Sequence, residues 1–512
     1  MSTRPHWLLQ DRLLGSAERS PEAVAVVADG QERTYAELTD ASLRFARALQ
    51  DLGLKRGDRV VIQLENSWRA AVAIFGTTLA GGVFVFINAQ TKEDKRRYVL
   101  DDSEAAFFVG EPALASAVEE TPKRRVISAG DGAGALSFDG LVGSASADPA
   151  IPATIPVDLA ALLYTSGTTG APKGVMITHR NMVFATESVA AYLGVGPRDR
   201  ILGVLPFAVS YGLYQLLLAT HVGASVVVER SFAFPRDVLQ RAEQAGVTVF
   251  PAVPTIFAAV LAQQPQPVFP AVTCVTNAGA ALPPQFLAGI REAFPSARFY
   301  SMYGQTECKR VSYLDPDLVD RNPLSVGRAI PGTEAFVLRD DGERAGAGDV
   351  GILHVRGPHV MAGYWKQPEL TAKALVPGPV PGELMLRTGD LFRTDRDGLL
   401  YFVSRTDDVI MSGANKISPV EIENTVYTVP GVREVAAVGV PDEILGEAVV
   451  VYVATHDGAE LTAEEIRRAC RARLEPALVP KRVVLVDELP KTQSGKISRA
   501  DLRAKAIASL GA

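Results

Sequence analysis

The sequence predicts an α/β protein. A large N-terminal domain of parallel-type sheets with crossover helices and a β-rich module precedes a small α+β C-terminal domain. Three observations predict this. Strand-like and helix-like segments alternate through the first half of the chain. The strands there are continuous apolar runs, as in a sheet covered on both faces. After about Thr406 the chain becomes a compact tail with its own strands and helix. At 512 residues the chain exceeds one hydrophobic core, so roughly two to four structural units are expected.

The first clear element is the helix in TYAELTDASLRFARALQDLG. Thr34 and Glu37 form a capping-box pattern, in which hydroxyl and carboxylate satisfy the first free N–H groups. Leu38, Ala41, Phe45, Ala48, Leu49 and Leu52 share one face, and Gly53 supplies the stop. A strand follows at Arg59 to Leu64, a helix at Trp68 to Leu79 and a strand from Val83, the rhythm of a parallel sheet. Gly130 to Pro156 is rich in Ala, Gly, Ser and Pro and reads as a surface excursion. Strands return in SVVVER (Ser225 to Arg230), VTVFPAVP (Val247 to Pro254) and TCVTNAGAAL (Thr273 to Leu282). After about Ser325, GDVGILHVRG and GLLYFVSR read as a more antiparallel module. The tail adds strands in EVAAVGV, EAVVVYVAT and RVVLV and a helix from Thr462 to Leu474 behind the capping box Thr462/Glu465. The domains are expected at 1–406 and 407–512. No internal repeat is visible.

Composition excludes several classes. Apolar residues make up 47% and charged residues 21%, ordinary values for a soluble globular protein. A net charge of −6 argues against a nucleic-acid partner. Cys274, Cys308 and Cys470 form no CxxC pair, so neither a disulfide framework nor a zinc site is indicated. No run approaches the roughly 18 apolar residues of a membrane helix. The N-terminal stretch is broken by Arg4, Asp11 and Arg12, so a cytoplasmic location is expected.

The stretch YTSGTTGAPKG (Tyr164 to Gly174) carries the first sign of chemistry. A Walker loop needs G-x-x-x-x-G-K-[ST], but Pro172 precedes Lys173 and Gly174 follows it. What remains is Thr165, Ser166, Gly167, Thr168, Thr169, Gly170 and Lys173. Glycines let backbone N–H groups wrap an anion, hydroxyls donate to phosphate oxygens, and the lysine adds a point charge. A flap over pyrophosphate-like oxygens fits this composition; a flexible Gly/Thr turn is the bland alternative.

The loop resembles the signature of the adenylate-forming superfamily, which holds acyl- and aryl-CoA ligases, luciferases and peptide-synthetase adenylation domains. Four further segments resemble its other motifs, in the family's order: SMYGQTECKR (Ser301 to Arg310), LRTGDLFRTDRDG (Leu386 to Gly398), SRTDDVIMSGANKISPVEIE (Ser404 to Glu423) and LPKTQSGKISR (Leu489 to Arg499). The resemblance implies ATP, Mg²⁺ and coenzyme A, or the phosphopantetheine of a separate acyl carrier protein, as cofactors or co-substrates. It implies that Tyr303, beside Gly304, lies against adenine, that Thr306 contacts the α-phosphate and that Glu307 helps hold the metal. Asp390 would accept from two ribose hydroxyls, and Arg405 would reach ribose and phosphate. Gly279, Ala280 and Ala281 would let adenine and acyl group lie against backbone. Lys496 would bridge the substrate carboxylate and the α-phosphate. Asp407 matches the hinge of a mobile C-terminal domain, and Gly413 the pantetheine tunnel. The residue before Arg405, a glycine in the family, is Ser404, so a stiffer hinge is expected. The implied reaction is ATP-dependent activation of a carboxylic acid through an acyl-adenylate, followed by thioester formation.

The acid itself is approached through Leu205 to Ala224. No carboxylate lies there, so a substrate ammonium would stay unpaired, and an amine-free acid is favoured. Phe207, Ser210, Tyr211, Asn277 and Gly279 are the candidate acid-binding residues, in a pocket expected to be apolar. The expected substrate is a small-to-medium aliphatic or aromatic acid; a standalone enzyme loading an acid, including a β-amino acid, onto a separate carrier is the alternative. Cys308 reads as a small packed residue, and Arg467, Arg468, Arg471 and Arg473 read as a solvated helix face paired with Glu464 and Glu465. A monomer or homodimer is expected. A non-catalytic nucleotide-binding regulator and a kinase-type phosphotransferase are the competing readings.

Overall fold

Residues 7–130, 136–166, 172–413, 415–456, 458–492 and 496–509 are described by the computed structural model. Their strands form three sheets. The 14-stranded sheet has a parallel centre made of Arg200–Gly203, Ser225–Val228, Val249–Ala252, Cys274–Asn277 and Arg298–Tyr303. All residues of Ser225–Val228, Val249–Ala252 and Cys274–Asn277 are buried, which is why these strands read as unbroken apolar runs rather than alternating ones. The same sheet continues antiparallel through Val350–Arg356, Leu384–Thr394 and Leu400–Arg405. This is the β-rich module. The 8-stranded sheet contains Arg59–Gln63 and Val83–Phe86 in parallel, together with the hairpin Leu159–Ser166/Pro172–Thr178. The 5-stranded sheet is built from residues beyond Ile410.

Local chemistry accounts for the element ends. Thr34 accepts from the Glu37 N–H and Glu37 returns a bond to the Thr34 N–H, so the helix Tyr35–Asp51 begins where the capping box stands. The helix Trp68–Leu79 has the predicted bounds and is capped by Ser67. Thr462 and Glu465 close the same box before Ala463–Arg473. The apolar cores also divide. One cluster runs from Leu9 to Leu400, and from Ile410 onward the buried apolar residues belong to other clusters.

One expectation is corrected. The stretch from Gly130 to Pro156 is not wholly a surface excursion. A short helix, Phe138–Ser144, is capped by Ser137, and Phe138 is buried with its ring 4.6 Å from that of Phe45. A single aromatic anchor among small residues carries no periodic signal.

Two buried histidines make the fold acid-sensitive. His179 opens the helix His179–Leu193, and its Nδ1 accepts from the Leu9 N–H at 3.2 Å, tying the N-terminal helix Leu9–Arg19 to the body. Burial pushes its pKa from 6.5 down to about 4, a drop that nearby Asp158 partly offsets. Burial alone pushes His359 down to about 4 as well. Between these values and 6.5 the unfolded chain binds the protons that the folded chain refuses, so stability is lost as pH falls through that window. Each histidine contributes a loss of up to about 3 kcal/mol. The thermal unfolding midpoint is expected to drop between neutral pH and about pH 5, and His359→Phe should blunt the drop. A midpoint independent of pH over that range would remove this account.

Candidate active site

The site forms where two neighbouring parallel strands end. Cys274–Asn277 and Arg298–Tyr303 run side by side, with Asn277 opposite Ser301. Their carboxyl ends deliver Gly279–Ala281 and Gly304–Glu307 to the same edge, the usual place for a ligand in an open α/β sheet. Gly279 has φ +89°, and a Cβ there would lie 3.3 Å from Lys496 Cε and 3.8 Å from Nζ. Glycine suits the left-handed backbone, and a side chain there would crowd the end of the lysine. Ala280 and Ala281 are exposed, and the Ala280 carbonyl accepts from Asn277 Nδ2 at 3.2 Å.

Asp390 and Arg405 sit in adjacent antiparallel strands as direct register partners. Asp390 is 5% exposed. Its Oδ2 accepts from Tyr303 Oη at 2.5 Å and from Gln305 Nε2 at 2.8 Å. Its Oδ1 is buried with no hydrogen-bond partner, 3.8 Å from Arg405 Nε. Burial pushes the Asp390 carboxyl above its ordinary pKa, against the pull of Tyr303 and Arg405. The Tyr303 ring is held edge-on to Phe392, with centroids 4.8 Å apart.

The phosphate-loop candidate is a hairpin tip. Thr165 pairs with Lys173 and Ser166 with Pro172, while Gly167, Thr168, Thr169 and Gly170 lie outside the described residues. Lys173 Nζ stands 5.7 Å from the centre of the Tyr364 ring, and Tyr364 Oη donates to Glu307 Oε1 at 2.9 Å. The hairpin is thus linked to the motif glutamate through an aromatic bridge. Thr306 is half-buried beside it.

Lys496 reaches this place from the far side of the divided core. It keeps solvent-accessible surface, but protein crowds its ammonium. That crowding, followed by repulsion from Arg405, lowers its pKa, while Asp390 and Glu307 work in the opposite direction. Three residues on, Arg499 forks onto Glu423 at 2.7 and 2.8 Å, and Glu423 accepts from the Ala437 N–H. This anchors the C-terminal side of the lysine's segment.

The candidate acid-binding residues meet less simply. Phe207 is fully buried against Phe86, and its N–H donates to Asn66 Oδ1. Ser210 opens the helix Ser210–Val222. Tyr211 Oη bonds the Thr276 hydroxyl at 2.6 Å, and Asn277 Oδ1 is buried without a partner. Two cations stand against Tyr211, an aromatic member of this set. Lys309 Nζ lies 5.0 Å from the ring centres of both Tyr211 and Tyr214, and the Arg310 guanidinium lies 5.0 Å from that of Tyr211. The apolar reading used the helix alone, and the cations arrive from a strand-end turn ninety-odd residues away in sequence.

At the domain junction Asp407 is 3.6 Å from Arg405 Nη2. Ser404 is buried in the strand Leu400–Arg405, and no positive φ occurs there, so in this arrangement the missing glycine costs nothing. Gly413 has φ +61°, and its N–H donates to the Leu445 carbonyl at 2.6 Å. Arg467 and Arg471 pair with Glu464, but Glu465 serves the helix cap instead. Cys308 is buried with its thiol pKa well above the ordinary value, as suits a packed residue.

The family model for AMP-binding enzymes matches residues 14–365, and that for the AMP-binding enzyme C-terminal domain matches residues 421–496. The chain belongs to the AMP-binding enzyme family. Its relatives place it in the adenylate-forming superfamily. The AMP-binding enzyme is 31% identical to a long-chain-fatty-acid–CoA ligase of Bacillus subtilis, over 97% of this chain and 94% of the relative. It is 34% identical to a sulfoacetate–CoA ligase of Cupriavidus necator, over 92% of each chain. The ATP-bound structure of MatB from Rhodopseudomonas palustris superposes with a TM-score of 0.88 at 29% identity, covering 97% of this chain and 98% of that one. The family's large and small domains correspond to the architecture described above.

Several residues at the site escaped sequence reasoning. Gln305 lies inside YGQTE but carries no charge to draw attention. Tyr364 sits in a Gly-Tyr-Trp stretch with no motif around it. Lys309 and Arg310 did offer a signal: two consecutive cations inside SMYGQTECKR, separated from the motif glutamate only by Cys308.

Proposed function

We propose that this AMP-binding enzyme is an ATP-dependent acid–thiol ligase that works through an acyl-adenylate, with coenzyme A as the thiol. The observation that carries the proposal is the convergence of Lys496, from the C-terminal domain, with Gly279, Glu307, Asp390 and Arg405 of the N-terminal domain. A carboxylate and a triphosphate repel each other, and a cation placed between them stabilises the charge that develops as they meet. In the first step a carboxylate oxygen attacks the α-phosphorus and pyrophosphate leaves. In the second, a thiol attacks the acyl carbonyl, its proton is lost and AMP leaves. In this reading Lys173 clamps the departing pyrophosphate, and Thr165 and Thr306 donate to phosphate oxygens. Tyr303 packs against adenine, and Asp390 Oδ1, the free acceptor, takes the ribose hydroxyls.

Glu307 would hold Mg²⁺. Its carboxylate is oriented by Tyr364, and one or two carboxylates plus substrate phosphates are what this ion commonly uses. When bound, the ion neutralises phosphate charge. The junction at Asp407 would let the C-terminal domain turn, bringing Gly413 to a pantetheine passage in the second step. Among the described residues no helix is long and apolar enough to cross a membrane. CoA is preferred over a carrier protein because the relatives are named as CoA ligases and because Arg467 and Arg471 are already engaged within their own helix. The relatives are named for unlike acids, so the acid must be read from the pocket.

The test is product analysis with a carboxylic-acid panel. The expected products are AMP and pyrophosphate, with thioester formed on CoA. ADP as product would make the enzyme a phosphotransferase, and turnover with a carrier protein but not with CoA would reassign the thiol.

A further inference from the structure

Lys309 and Arg310 are an energetic anomaly. Lys309 is 7% exposed and Arg310 3%. Burial of a charged group is expensive unless it is paired. Yet the charged groups that bear on Lys309 are Arg310 and Lys496, both cations. Arg310 Nη1 points at Met302 Sδ, a weak acceptor, and its Nε is buried with no hydrogen-bond partner. Aromatic faces from Tyr211 and Tyr214 and a hydrogen bond between Arg310 and the Tyr211 hydroxyl offset part of this cost, and a thioether offsets little. Arg310 also holds a left-handed backbone, φ +57°, uncommon for a residue with a side chain. Strain and unpaired charge concentrated at one turn mark a functional site.

The cations lie against the candidate acid-binding residue Tyr211. Tyr211, beneath both of them, bonds Thr276, which precedes Asn277 and the Lys496 contact at Gly279. The Lys309 ammonium is near enough to Lys496 for the two to repel. A tail-neutral acid leaves this pair buried and unpaired. An anion supplies what the protein withholds.

We infer that Lys309 and Arg310 bind a second anionic group, carboxylate or sulfonate, on the acid that is activated. This rests on the adenylation proposed above. The reacting carboxylate goes to Lys496, and the second anion goes to Lys309 and Arg310. The contacts of Tyr211 with Thr276 and of Gly279 with Lys496, three residues apart on one strand end, place the two binding points in one neighbourhood, which calls for a short spacer between the two groups. The absence of any carboxylate from Leu205 to Ala224 agrees, since the pocket offers an ammonium no partner.

The test is carboxylate-dependent pyrophosphate exchange with a chain-length series of dicarboxylic acids and matching sulfo-acids, against monoacids of equal length. The best dianionic acid is expected to exceed its matched monoacid about 100-fold in kcat/KM, the size expected from truncating a buried charge partner. Lys309→Met, close to lysine in volume, should collapse that ratio to within about tenfold, whereas Lys309→Arg should preserve most of it. The preferred series, dicarboxylic or sulfo, identifies the anion. Monoacids used as well as dianionic acids would overturn the inference and leave adenylation standing. So would a Lys309→Met variant that slows all acids equally, its ratio unchanged. Exchange with no acid at all would overturn the adenylation reading, and this inference with it.

Discussion

Lys496→Ala is expected to lower acid-dependent exchange of pyrophosphate into ATP by about 10²–10³-fold, or roughly 3–4 kcal/mol of transition-state stabilisation. The lysine crosses from the C-terminal domain to a close approach on Gly279, within electrostatic reach of the carboxylates of Glu307 and Asp390 and the guanidinium of Arg405. Its proposed work is confined to the step in which two anions meet, so thioester formation from preformed acyl-AMP should persist in the same variant. The protein surrounding its ammonium lowers the pKa, and the cation is the working form. Exchange should therefore fade with rising pH at values below the ordinary lysine range. Wild-type exchange by the alanine variant would remove Lys496 from the mechanism.

Asp390→Asn is expected to raise the KM for ATP by about 10–100-fold, the range for losing a hydrogen bond to a charged group. The geometry leaves the amide no good orientation. With its nitrogen in place of Oδ2, it confronts two donors, Tyr303 Oη and Gln305 Nε2. With its nitrogen in place of Oδ1, the free acceptor offered to the ribose becomes a donor. The substitution also removes a negative charge that raises the Lys496 pKa, so the alkaline loss of exchange should move to lower pH. An unchanged KM together with an unchanged pH profile would show that Asp390 is structural.

The two variants also indicate how much of the site could be read in advance. Asp390 and Arg405 were singled out from separate motifs, and sheet register sets them opposite one another. The capping boxes at Thr34 and Thr462 were legible because both partners lie within one turn. Phe138 was not, because it is a single aromatic among small residues and its partner Phe45 lies far away in sequence. Lys309 and Arg310 stood in plain view inside SMYGQTECKR, but their burial against Tyr211 and Tyr214 depends on a strand-end turn folding over a distant helix.

By itself the sequence determined the α/β alternation, the caps, the order of the motifs and, through them, the family. These are local properties: periodicity, cap spacing and motif chemistry act within a few residues along the chain. Only the tertiary structure decided that Lys496 meets Gly279, that one oxygen of Asp390 is taken and the other free, and that Lys309 and Arg310 pack against Tyr211 and Tyr214. Those facts depend on which side chains share a volume once the chain is packed. Burial changes the meaning of a charge there: Lys309, two residues after Glu307 in sequence, packs against the rings of Tyr211 and Tyr214, and burial followed by repulsion from Arg310 and Lys496 pushes its pKa down.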